Sequence, residues 1–225
     1  MARRFSLLTV LLVAGFAVPG WAHLPLGIGA LGTSVDNPIE VADPNVSQVV
    51  YFEATAEAPR VWLRFEAEAG DPLFLQLAVP VIDRYADLRP AMVFFGPGMD
   101  PVSVPFDAPD TEGGLLFDTA GLMPETYHEE FTGTDLWQWE GERFDAPATG
   151  TYYLVGYLPD ADAGKFMVTM GVKEQYSLSD IFDLPRILVD VRAFHEVDGL
   201  GGIVFYVLLG LAGALIAFLW MLFFR

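Results

Sequence analysis

The chain has 225 residues, of which 53% are hydrophobic, and it carries a formal net charge of −18. A surface this acidic repels nucleic acid and anionic lipid headgroups, which excludes both as ligands. Because the sequence contains no cysteine, disulfide and thiol chemistry are excluded as well.

Residues 1–22 have the pattern of a secretory signal peptide. Arg3 and Arg4 precede an apolar run over residues 5–18. Small residues occupy the two positions that a signal peptidase recognises, the second of which is Ala22. The pattern predicts export and cleavage after Ala22. An uncut signal anchor is the alternative, but the run is short for a membrane span.

Residues 23–45 form a lead-in with three glycines and three prolines. This composition disfavours a helix and predicts an extended segment that wraps the adjoining domain.

Residues 46–176 have the alternation of β-strands. In Val61–Glu68 every second residue is apolar and faces one side, while Trp62 and the charged residues face the other. Thr151–Tyr157 and Lys165–Val172 form the clearest hairpin. Many short strands with turn residues between them predict an all-β, antiparallel β-sandwich.

The block from Arg60 to Val172 resembles the bacterial pre-peptidase C-terminal domain. The matching stretches are RFEAEAGDPLFLQL (Arg64–Leu77), APATGTYYLVGY (Ala146–Tyr157) and the last strand that begins at Gly164. The resemblance implies a small jelly-roll-like sandwich. This chain differs from that family by a long insertion, Gly96–Glu142, and by having no protease attached.

Residues 177–198 predict a juxtamembrane amphipathic helix that couples the domain to the C-terminal run of the chain. Asp183 is placed to cap it, with Pro185 in its first turn. The apolar stripe contains Ile187, Leu188, Val191 and Phe194, with Arg192 off that stripe. Such a helix either lies on a membrane surface or packs under the sandwich.

Residues 199–224 contain no charged side chain. As a helix they would rise about 39 Å, enough to cross a hydrocarbon core of roughly 30 Å. Acidic Glu196 and Asp198 precede the run and Arg225 comes after it. The sequence therefore predicts a single-pass type I protein of the cell membrane, with its ectodomain outside the cytoplasm, in the periplasm or the extracellular space.

Two groups of residues are candidate metal ligands. Cleavage after Ala22 would expose His23, whose amine and imidazole could bind copper together with His128; the alternative is a frayed N-terminus. Asp160 and Asp162 have the spacing of half a calcium loop. The alternative for this pair is a solvated hairpin tip.

Further ligands for that calcium site would have to come from elsewhere in the chain. The candidates are Asp107, Asp110 and Glu112.

Aromatic residues form the third candidate site. Tyr127 lies in a dense polar cluster, and Trp137 and Trp139 are two residues apart, so on a strand they would share one face. Exposed, they would make a stacking platform for a sugar or peptide. The alternative, which the abundance of aromatics favours, is that they fill the core.

Catalytic signatures are not found in the sequence: it has three histidines, no G-x-S-x-G motif and no phosphate loop. These observations predict a non-enzymatic, membrane-tethered binding or scaffold domain that is an accessory to another membrane or envelope protein. The alternative is a metal-handling protein that binds copper or calcium.

Overall fold

The computed structural model describes residues 24–109, 113–175 and 178–198, with backbone only at residues 24 and 178–182, and four helical residues beyond them (Gly210, Gly213, Trp220 and Met221). The elements are β1 (Leu24–Gly29), β2 (Ile39–Glu40), β3 (Gln48–Ala54), β4 (Arg60–Ala67), β5 (Pro72–Pro80), a 3-10 helix (Asp83–Tyr85), β6 (Ala91–Gly96), β7 (Gly113–Asp118), β8 (Glu125–Glu129), β9 (Thr134–Gln138), β10 (Glu142–Asp145), β11 (Gly150–Tyr157), β12 (Gly164–Met170) and α1 (Leu178–Phe194).

The strands form two sheets, which confirms the predicted β-sandwich. The large sheet has the order β1-β3-β12-β5-β9-β8, and β10 also pairs with β5; the small sheet has the order β2-β4-β11-β6-β7. Most pairs are antiparallel, but β1 lies parallel to β3 and β2 lies parallel to β4. The prediction of a purely antiparallel fold is therefore wrong at these two edges. The extended lead-in supplies both parallel strands and contacts both sheets.

The core between the sheets contains the apolar positions predicted from alternation. On β4, Val61, Leu63 and Phe65 are at most 1% exposed. Trp62, on the face predicted to be solvent-exposed, is also buried, because the segment 97–109 covers the outer face of the small sheet. Phe106 from that segment packs edge-on against Trp62 with ring centroids 5.8 Å apart. Part of the long insertion is therefore a covering layer of the sandwich.

The outer face of the large sheet is covered by α1. Val191 and Phe194 pack on Tyr51 and Met167, so the helix lies on the sandwich, which is one of the two predicted arrangements. The helix begins at Leu178, and Pro185 lies inside it. The prediction that Asp183 caps the helix is wrong, since Asp183 is an interior position.

The predicted signal peptide (1–22) and almost all of the predicted span (199–224) lie outside the described residues. Among the residues that the structure describes, no helix is both long and apolar enough to cross a membrane. Export and anchoring therefore stay predictions.

Candidate functional site

The C-terminal end of α1 is fixed to the β-sandwich by charged side chains. Lys165 on β12 is buried, and its ammonium donates to the Glu196 carboxylate at 2.8 Å and to the Phe194 carbonyl at 3.0 Å. Arg84 of the 3-10 helix donates to the same carboxylate. We call the group of Arg84, Lys165 and Glu196 the junction cluster, because Glu196 lies three residues before the start of the uncharged run.

Glu196 also ends the helix in an unusual backbone conformation. Its φ of 57° is the only positive value at a non-glycine residue in the described ranges. The N–H of Glu196 donates to the Ala193 carbonyl, and the N–H of Val197 donates to the Arg192 carbonyl, which is the Schellman pattern. Glycine is preferred at this position because it adopts positive φ without strain. A glutamate there is explained by its carboxylate, which Arg84 and Lys165 bind; these contacts lower its pKa to about 2.

A second connection joins α1 to the tip of the β8–β9 hairpin. Arg192 is buried and donates to the Thr132 carbonyl at 2.7 Å and to the Gly133 carbonyl at 3.3 Å. Glu129 shapes that tip by accepting the backbone N–H groups of Phe131 and Thr132, at 3.0 and 2.6 Å. This role of Arg192 has no signal in the sequence, because its partners lie about sixty residues away along the chain.

The junction cluster gives a testable stability effect. Glu196→Gln is expected to lower the free energy of unfolding by about 2 kcal/mol, since it leaves the buried Lys165 ammonium without its counter-ion. The Glu196 side chain is 38% exposed, so solvent screening keeps the expected loss of stability at the low end of what is found when a buried ion pair is broken. Urea denaturation of the full chain in detergent measures this loss.

The control for that prediction is the double variant Lys165→Met with Glu196→Gln. Because the double variant removes both charges, its loss of unfolding free energy is expected to be smaller than the sum of the losses in the two single variants. Additive losses would contradict a direct interaction between the two side chains.

His195 fills the space between α1 and the large sheet. It is 4% exposed, and its ring lies edge-on to Tyr51 and Phe194 at centroid distances of 6.1 and 5.8 Å. Within the described residues, neither ring nitrogen has a hydrogen-bond partner at normal geometry. Burial lowers the pKa of His195 to about 4, and the nearby Asp135 backbone only partly opposes this shift. The imidazole is therefore neutral at neutral pH.

The structure does not assemble the predicted aromatic platform. Trp139 is 5% exposed and its indole N–H donates to the Leu122 carbonyl at 3.4 Å, so it belongs to the core. Trp137 is half-buried and packs against the same core. Its cross-strand partner on β8 is Thr126, which lies on the same face of the hairpin. Tyr127 is exposed on the other face of the hairpin. The two tryptophans therefore follow the alternative prediction, in which they pack in the core.

Tyr127 lines a groove on the outer face of the large sheet, beside α1. Other residues along it include Tyr51, Gln76, Glu129 and Gln138. Its volume is about 70 Å³. Small-molecule sites typically have roughly 300 Å³ or more, so this groove as it stands is too small for a sugar ring.

Of the two candidate copper ligands, His128 lies within the described residues and His23 lies outside them. His128 lies on β8, where its Nδ1 is 2.7 Å from the Asp135 carboxylate. The copper site shared by these two histidines therefore stays a prediction.

The candidate calcium ligands, Asp160 and Asp162, are exposed in the loop between β11 and β12. In the described part of the chain, no three His, Asp or Glu side chains are grouped closely enough to hold a metal ion. Asp110 and Glu112, two of the additional ligands considered, lie outside that part. The calcium site stays a prediction without a third ligand.

The fold and the junction define a class of protein: a two-sheet β-sandwich with one outer face closed by a helix whose end is held by buried charges. No protein-family model and no curated protein sequence matches the chain. Similar solved structures include the pre-peptidase C-terminal domain of a collagenase from Bacillus anthracis, at 9% identity and a TM-score of 0.32, covering 58% of this chain and 91% of that one. The pre-peptidase C-terminal domain is also the family that the sequence resembles.

Two further similar structures are described as copper-binding proteins. CorA, a surface-associated protein of Methylomicrobium album BG8, matches at 12% identity and a TM-score of 0.30, covering 68% of this chain and 100% of that one. MopE, a secreted protein of Methylococcus capsulatus, matches at 12% identity and a TM-score of 0.25, covering 51% and 70%. Because all three TM-scores are below 0.5, the function has to be inferred from this chain's own residues.

Proposed function

We propose that this chain is a non-catalytic, exported β-sandwich domain that is anchored in a membrane by residues 199–224. The domain is held there in a fixed orientation and serves as a binding or scaffold component for another envelope protein. The signal-like N-terminus supports export, and the uncharged C-terminal run supports anchoring.

The observation that carries the proposal is the junction cluster. The end of α1 is held to the sandwich through Glu196, which binds Arg84 and Lys165, and through Arg192, which binds the tip of the β8–β9 hairpin. Arg192 also donates to the Asp198 carbonyl at 3.4 Å. The last residue before the uncharged run is therefore bonded to the end of α1, which is itself fixed to the sandwich. A rigid connection is useful when a domain must present one face at a fixed height above a bilayer.

In this proposal, the end of the sandwich that carries the junction cluster faces the membrane. The junction cluster lies where β12 begins, next to the β11–β12 loop that contains Asp160. Glu68 lies at the other end of β4, which has eight residues. At about 3.3 Å per residue the two ends are roughly 25 Å apart. The proposal places Asp160 near the bilayer and Glu68 far from it.

A fluorescence experiment tests both parts of the proposal. Because the chain has no cysteine, Asp160→Cys and Glu68→Cys each give a single labelling site at an exposed position. The labelled full chain is reconstituted in vesicles that contain a headgroup quencher. We expect strong quenching at position 160 and weak quenching at position 68. Introducing Glu196→Gln should reduce this difference.

A chain that ends at Asp198 is the matched control and should not bind the vesicles. If the full chain also fails to fractionate with vesicles, the anchor is wrong. If it does fractionate but both labels are quenched equally, the anchor stands and the fixed orientation is wrong.

A further inference from the structure

Strand β7 is an edge strand of the small sheet that is open from Leu115 to Asp118, because the covering segment closes its Gly113–Gly114 end. Within the described chain it pairs with β6 alone. The Gly114 N–H points away from β6, because it donates to the Asp100 carbonyl of the covering segment at 2.9 Å. In an antiparallel pair alternate residues direct their backbone groups to opposite sides, so Leu116 and Asp118 also direct theirs outward. No hydrogen bond from another described residue takes up the outward groups of Leu116.

The same edge presents exposed apolar side chains. Leu115 and Leu116 are each at least 40% exposed, and the loop after β7 adds Leu122 and Met123, of which Met123 is 86% exposed. Edge strands are usually protected by lysine, proline or a bulge, since a bare edge pairs with other chains. None of these devices occurs between Gly113 and Asp118. The edge therefore has the features of a docking strand.

The acidic composition of the sequence that contains β7 indicates what kind of chain docks there. Eleven acidic residues and no lysine or arginine lie between Arg89 and Arg143. Pairing β7 with β7 of a second copy would bring two such acidic segments together, and like charges across an interface oppose association. A basic strand would meet favourable potential at the same edge.

We propose that β7 binds an extended segment of a partner protein by strand addition, and that this segment alternates apolar and basic residues. Backbone groups of Leu116 and Asp118 would supply the hydrogen bonds, as in other cases of β-augmentation. Leu116 would contact its apolar side chains, which all lie on one face of the added strand. This inference rests on the proposed function as a binding domain and names the chemistry of its partner.

The probe is a fluorescent synthetic peptide of eight residues that alternates valine and lysine. Anisotropy with the full chain in detergent is expected to show saturable binding that weakens at least about tenfold between 50 and 300 mM salt. The matched peptide control has the same side chains with alternate backbone nitrogens methylated. Since it keeps the charge but cannot form the ladder, it should bind at least about tenfold more weakly.

The protein-side variant is Leu116→Lys, which adds a repulsive charge at a half-exposed position and should weaken binding at least about tenfold. Val189→Lys on α1 is its control: it makes the same charge change at a similarly exposed residue and should change affinity less than about threefold.

Equal binding of the methylated peptide, or equal effects of the two lysine variants, would overturn strand addition at β7. The proposal of a basic partner would be overturned if the peptide did not bind. It would also be overturned if the chain formed a dimer that Leu116→Lys abolished. These measurements are made without a bilayer, so their failure is distinct from failure of the membrane anchor.

Discussion

Tyr152→Ala is expected to lower the free energy of unfolding by about 4 kcal/mol, the cost of removing a fully buried aromatic ring from a packed core. The Tyr152 side chain is 0% exposed and lies between the two sheets. Its ring stacks on Phe94 at a centroid distance of 4.9 Å and on Phe65 at 5.9 Å. Gly96 permits this placement, since a Cβ there would lie 2.0 Å from the Tyr152 ring.

Tyr152→Phe is the matched control, because it keeps the ring and removes only the hydroxyl. That hydroxyl donates to the Ala148 carbonyl and accepts the Ala148 N–H at 3.2 Å. Losing these bonds at a partly exposed backbone should cost about 1 kcal/mol. Chemical denaturation of both variants measures the difference; similar losses for the two would mean that the ring stack contributes little.

The sequence predicted the strands whose alternation is regular and whose partners are also strands. Leu63 and Leu154 are directly paired across β4 and β11, and both follow the inward pattern. Alternation alone could not predict that Trp62, on the opposite face, is buried as well. That depends on Phe106 in an irregular segment without periodicity. The parallel edge strands were missed for a similar reason, because β2 has only two residues.

The functional residues at the end of α1 were harder to predict. The stripe of Leu188, Val191 and Phe194 is expected from helical spacing and is buried as predicted. Arg192, which was predicted to lie off that stripe, and His195 are buried as well, although charged and titratable side chains are normally assigned to solvent. Only the three-dimensional structure shows the carbonyls of Thr132 and Gly133 that accept from Arg192. Polar burial of this kind depends on long-range contacts that a local pattern does not contain.

The buried imidazole of His195 predicts that stability falls as the pH is lowered from about 6.5 to about 4. In the unfolded chain the histidine titrates at its ordinary pKa of 6.5, whereas in the folded chain burial lowers the pKa to about 4. Between these values the unfolded state binds the extra proton, so acid favours unfolding. A shift of this size corresponds to on the order of 3 kcal/mol. Lys165, which also faces the ring, opposes a second positive charge there.

Denaturant unfolding at pH 7, 5.5 and 4.5 measures this slope, and His195→Phe should remove most of it. Phenylalanine has a similar shape and keeps the edge-on contact with Tyr51, so the variant isolates the titration from the packing. Glu196 contributes little to the slope at these three pH values, because its lowered pKa keeps most of its stabilisation present down to about pH 4.5 and loses it as the pH falls toward 2. An unchanged slope in His195→Phe would show that acid acts elsewhere in the chain. The end of α1 would then not be the acid-sensitive contact between the sandwich and the C-terminal segment.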